Sequence, residues 1–110
     1  MTTNKQPASR PHDAAVVELL KADPDFANEY LAAALEEADE PGGQTALLAA
    51  LRHVAEAQGM AAVAERADIP RESLYRALGP KGNPTVKTLL AVLSAAGLHL
   101  AVTRQDSAHA

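Results

Sequence analysis

The chain has 110 residues, a formal net charge of −4 and no cysteine. That length suits one domain of the usual ~100–150 residues and excludes a second full core, while the absence of cysteine excludes a disulfide-stapled scaffold and a thiolate metal site. Hydrophobic residues make up 47%, with 25 Ala and 14 Leu against 7 Val, 1 Ile, 1 Phe, 2 Tyr and no Trp, which predicts an all-α domain rather than a sandwich or barrel.

Residues 1–11 hold Thr, Asn, Gln, Ser and two prolines and are expected to form a disordered tail. No hydrophobic segment follows Arg10, so no signal peptide is expected. No apolar run approaches the ~20 residues needed to cross a bilayer, and the expected location is cytoplasmic. From His12 the pattern turns helical. Asp13 is placed to cap a helix over 14–22, with Val16, Val17, Leu19 and Leu20 as its apolar residues. Asp23-Pro24 repeats a cap-then-proline start, and a helix is predicted over about 24–39. Its stripe is Ala27, Leu31, Ala34, Leu35 and Ala38, with Asp25, Glu29, Glu36 and Glu40 on another face. Pro41-Gly42-Gly43 ends it. A third helix is predicted over 44–58, with Leu47, Leu48, Leu51, Val54 and Ala55 inward and Gly59 as its C-terminal cap. Two short helices follow, over 60–67 and 70–78, and then a Gly79-Pro80-Lys81-Gly82 loop. Asn83-Pro84 signals a last helix, with a stripe of Val86, Leu89, Leu90, Leu93 and Ala96. Leu98 to Thr103 alternates apolar and polar residues and is read as a short extended segment.

The two short helices carry the functional reading. Their sequence, from Gly59 to Leu78, meets the needs of a helix-turn-helix. Ala64 supplies a small residue where the helices cross. Val63, Ile69, Leu74 and Leu78 (or Ala77) pin the second helix to the core. Arg71, Glu72, Ser73, Tyr75 and Arg76 are left outside, where such a helix can enter the major groove. Arg pairs bidentately with guanine, and Tyr and Ser can bond phosphate or base. The same pattern also suits an αα-hairpin that never meets DNA. Charge separates the two readings. Residues 1–40 hold nine acids and three bases, a net of −6; residues 66–87 hold five bases and two acids, a net of +3. The basic residues are Arg66, Arg71, Arg76, Lys81 and Lys87, and the loop beyond the second helix offers Lys81, Asn83 and Thr85, with Lys87 nearby, to phosphate.

At these residues the sequence resembles the addiction-module antidote proteins, HigA-like antitoxins with an XRE-type, lambda-repressor-like helix-turn-helix. The resemblance lies in Asp13-Ala14-Ala15, in Phe26-Ala27-Asn28-Glu29-Tyr30-Leu31 with Ala33-Ala34-Leu35-Glu36-Glu37, and in Gly59-Met60. Arg71-Glu72-Ser73-Leu74-Tyr75-Arg76-Ala77-Leu78 and Gly82-Asn83-Pro84-Thr85 complete it. It covers about His12 to Val102. Three positions depart from the pattern: Asp68 stands where Gly is usual, Pro70 where a capping Ser is common, and Ala61 where a polar residue is common. Asp tolerates a left-handed backbone and Pro suits a helix start, so neither breaks the motif. The resemblance implies a small basic RelE-type toxin that cleaves mRNA, encoded next door, and repression of the shared promoter. A −6 arm suits such a partner by charge, and Phe26, Glu29, Tyr30, Glu36 and Glu37 are the candidate toxin contacts.

Other chemistries find little support. His12, His53, His99 and His109 lack metal-ligand spacing and are expected at the surface or half buried. No serine has a nucleophile's elbow or partner, no phosphate-binding Gly loop is present, and neither catalysis nor a cofactor is expected. The sequence therefore divides into a tail (1–11), an acidic helical arm (12–42), a helix-turn-helix domain (43–103) and a second disordered tail (104–110). The expected protein is an antitoxin and autorepressor that binds operator DNA as a homodimer, with Leu98–Val102 as one candidate dimer contact. A stand-alone regulator without a toxin and a helical protein–protein adaptor are the alternatives.

Overall fold

A computed structural model describes residues 9–104. Among them the chain is all helical, with no strand: α1 (Ser9–Ala22), α2 (Phe26–Glu36), α3 (Gly43–Gln58), α4 (Met60–Ala67), α5 (Arg71–Ala77) and α6 (Val86–Ala95). The small all-α bundle expected from the Ala and Leu content is what forms. Residues 1–8 and 105–110, parts of the two expected tails, lie outside the described residues. No described helix is long and apolar enough to cross a membrane.

α3 is the centre of the bundle. Its Leu48, Leu51, Val54 and Ala55 are buried as the stripe predicts. α1 and α2 both pack on it, so the acidic arm is part of the bundle rather than a projection from it. α4 packs on α3 and carries both α5 and α6. Val63, Leu74 and Leu78 are wholly buried and Ala64 is 3% exposed. Burying side chains of that size stabilises by roughly 1.5–3 kcal/mol each, which fixes α5 to the core along one face only.

The helix ends differ from the sequence expectation in instructive ways. α1 begins at Ser9, inside the expected tail, and not after Asp13. Pro11 then falls in the first turn, where a missing amide hydrogen costs nothing. Asp13 lies in the second turn, and Val16 and Leu20 extend its face inward. Asp13 therefore cannot cap this helix. α2 starts at Phe26 instead of Pro24, because Phe26 N bonds Asp23 O and Ala27 N bonds Pro24 O in a preceding turn. It stops at Glu36 instead of Asp39, where bonds of Glu37 N to Ala34 O and Ala38 N to Leu35 O tighten the chain. Leu35 is consequently 43% exposed. α6 is capped by Thr85, whose Oγ1 accepts from Thr88 N at 3.1 Å, and not by Asn83. Leu89, Leu93 and Ala96 of the predicted stripe pack on the core. Val92, Leu93 and Ala95 face the core, while Val86 (71% exposed) and Leu90 (46%) face outward, against the predicted stripe. The segment from Leu98 to Arg104 is neither helix nor paired strand.

His53 also departs from expectation. Predicted at or near the surface, it is 4% exposed. Its Nδ1 lies 2.7 Å from Tyr30 Oη and its Nε2 lies 3.0 Å from Asp13 Oδ1. One ring thus joins α1, α2 and α3.

Candidate nucleic-acid interface

The α4–α5 hairpin is built by backbone chemistry at Asp68. This residue adopts φ 60°, ψ 44°, the left-handed conformation that Asp tolerates better than most residues. Asp68 N bonds Glu65 O, and Ile69 N reaches back to Ala64 O, closing the end of α4. Pro70 then precedes α5 with φ −57° and ψ 140°, just outside the helix rather than at its first position. Tyr75 is 39% exposed, and Arg71, Glu72 and Arg76 are also exposed. Ser73 is half buried. The Arg71 guanidinium sits 5.9 Å from the centroid of the Tyr75 ring. That stacking restrains a long side chain before any ligand arrives. Arg76 makes only a long 3.4 Å contact with Ser73 Oγ. Among the described residues neither arginine pairs with a carboxylate.

The loop after α5 folds back against it. Gly82 N bonds Gly79 O at 2.9 Å. A Cβ at Gly82 would come 2.0 Å from Ala77 O, so only glycine allows this approach. The result is a groove of about 400 Å³ lined by Ser73, Arg76, Lys81, Gly82, Asn83 and others. It brings four candidate DNA contacts from two segments together. Lys87 is exposed one turn further on, at the start of α6. Thr85 is exposed too, but its hydroxyl is occupied by the α6 cap.

Two arginines have roles that composition does not reveal. Arg66, counted in the basic stretch, donates from Nε to Ala95 O at 2.8 Å and from Nη2 to Gln58 Oε1 at 3.0 Å. It ties the end of α4 to the end of α6. Arg52 on α3 donates to Leu78 O at 2.9 Å and so anchors the C-terminal end of α5. Arg52 was missed as a positioning residue, because its partner is a backbone carbonyl 26 residues away and leaves no mark in the sequence.

The five candidate toxin contacts fall into two groups. Glu29, Glu36 and Glu37 are exposed. Phe26 and Tyr30 are half buried, their ring centroids 5.9 Å apart, and both pack against the core. Tyr30 is further committed to His53. Burial pushes the Tyr30 phenol up from its usual range, and the nearby Asp13 charge adds to this. The outward surface of α2 is therefore acidic rather than aromatic.

These features define a small helical protein with one basic and one acidic surface. A family model described as "Probable addiction module antidote protein" matches residues 8–104. The chain belongs to that family of addiction module antidotes. It is also similar to a Haemophilus influenzae protein bearing the name "Uncharacterized protein", 43% identical over 56 residues. That match covers 51% of this chain and 58% of the relative's length. No solved structure matches the chain.

Proposed function

We propose that the chain is the antitoxin of a type II toxin–antitoxin pair and represses its own promoter, with α4 and α5 as its helix-turn-helix. The single observation that carries the DNA part is the joint exposure of Arg71, Glu72, Tyr75 and Arg76 beside the Lys81–Asn83 groove. In this reading α5 enters the major groove and Arg71 and Arg76 read base edges. Lys81, Asn83 and Lys87 take backbone phosphates, while Ser73 and Thr85 are secondary partners. A homodimer places two such helices on two half-sites. The 43–103 segment is the DNA-binding unit and 12–42 the toxin-facing unit.

The acidic surface supports the toxin part. Glu29, Glu36, Glu37, Asp39 and Glu40 are exposed and lie on α2 and the loop after it. A RelE-type nuclease grips RNA phosphates and should be basic, so this surface would steer it into contact. No catalytic step belongs to the antitoxin itself.

Two experiments test the parts separately. A shift assay on DNA from upstream of the gene tests promoter binding. Co-expression with the neighbouring reading frame tests the toxin. A neighbour that is harmless alone, or that stays toxic beside this protein, contradicts the antitoxin assignment.

A further inference from the structure

The C-terminal end of the helical body is built to meet a second copy of itself. α6 closes at Gly97, which has φ +84°, and Leu98 N bonds Leu93 O at 2.8 Å. This closure fixes the point from which the chain leaves. Leu98 packs against the core. Residues 99–104 are all exposed and, among the described residues, make no backbone hydrogen bond. Yet their sequence has strand chemistry, with Leu98, Leu100 and Val102 recurring at every second position. Leu100 is 42% and Val102 98% exposed. An alternating row with free amides and carbonyls is half of a ladder.

We propose that residues 99–103 pair antiparallel with the same residues of a second chain, forming a two-stranded ribbon across the dimer axis. The pattern is self-complementary. About a two-fold axis near Leu100 or Ala101, the apolar positions of both copies fall on one face, continuous with Leu98 and the core of each subunit.

Charge argues against the other occupants. Arg104, at the end of the row, is exposed and basic. A basic toxin gains nothing from Arg104 and suits the acidic surface of α2 instead. DNA gains nothing from Leu100 and Val102. A second copy satisfies both the backbone groups and the apolar row. The proposal rests on the operator-binding reading only in that a two-fold protein matches two half-sites.

The test is sedimentation of the DNA-free full chain over a range of concentrations, with Leu100→Pro and Ala101→Pro as separate variants. In an antiparallel ladder, adjacent residues present their amides to opposite sides. One proline therefore removes a pair of symmetry-related ladder bonds and the other does not. The expected result is a wild-type dimer whose dissociation constant rises by about tenfold or more in one proline variant and little in the other, since each net bond is worth about 1 kcal/mol. Helix content should be unchanged in both variants, because the segment lies beyond α6. A monomer at all concentrations, or a dimer that responds equally to both prolines or to neither, overturns the pairing. DNA shifts on the same samples keep the two readings apart. A monomer that still shifts its upstream DNA overturns the ribbon alone, and a ribbon-dependent dimer that ignores that DNA overturns operator binding alone.

Discussion

Tyr30 Oη lies 2.7 Å from His53 Nδ1, and this contact joins α2 to the buried centre of α3. The other ring nitrogen faces the Asp13 carboxylate of α1 at 3.0 Å. An ionised carboxylate only accepts, so His53 Nε2 donates to Asp13; with one proton on the ring, Nδ1 accepts from the tyrosine hydroxyl. Both ring nitrogens have a hydrogen-bond partner. The arm that carries the acidic surface is held by this one side chain as well as by its apolar face.

His53→Ala should cost about 2–3 kcal/mol of folding stability, by leaving a cavity and an orphaned Tyr30 hydroxyl. Asp13→Ala should cost less, because Asp13 keeps 36% of its side-chain surface exposed. Urea unfolding followed by circular dichroism checks the order. Equal stability of His53→Ala and wild type would show that the network does not hold the arm.

Tyr30 predicts an alkaline dependence. Its folded pKa is raised above the ordinary value of 10.0, first by burial and then by Asp13. Its contribution is complete below pH 10 and is lost as pH rises through the folded value, because the unfolded chain releases the proton first. Stability of the wild type should therefore fall above pH 10 more steeply than that of Tyr30→Phe. Parallel curves for the two proteins would contradict the assignment.

Gly82→Ala should damage the proposed DNA face without touching a charged residue. The new methyl meets the Ala77 carbonyl, so the loop must move away from α5. We expect a loss of about 1–3 kcal/mol in stability or in DNA affinity. Thermal unfolding and a binding titration on one sample locate the loss. A fully neutral substitution would mean that the loop is free to shift.

Arg66 and Lys81 share a charge but should behave differently. Arg66→Ala removes the bonds to Ala95 O and Gln58 and should lower stability by about 1 kcal/mol, leaving the salt dependence of DNA binding unchanged. Lys81→Ala should leave stability alone and reduce the log–log salt slope by about 1. The titration is repeated at several salt concentrations. Reversed behaviour would place Arg66, not Lys81, on phosphate.

The helical architecture was legible because Ala, Leu and helix-breaking residues mark it locally. The Asp68 turn was legible for the same reason: few residues tolerate φ 60°. The α5 face was legible from Leu74 and Leu78, whose burial leaves Arg71, Tyr75 and Arg76 outside. What escaped was set by tertiary partners. Asp13 reads as a cap until His53 is seen to face it. The α6 stripe was legible at Leu89, Leu93 and Ala96, but Val86 and Leu90 stay exposed, because tertiary packing chose Val92 and Ala95 instead. Arg66 reads as one of the basic stretch and Arg52 carries no signal of its own; only the fold brings Ala95 O and Leu78 O to them.

The most direct test of the central claim is the affinity of the full chain for DNA from its own upstream region, compared with Arg71→Ala combined with Arg76→Ala. Specific binding by the wild type is expected, with a loss of about 1–3 kcal/mol for each missing base contact and the fold intact. Unchanged affinity in the double variant, or wild-type binding no tighter than to unrelated DNA, would contradict it.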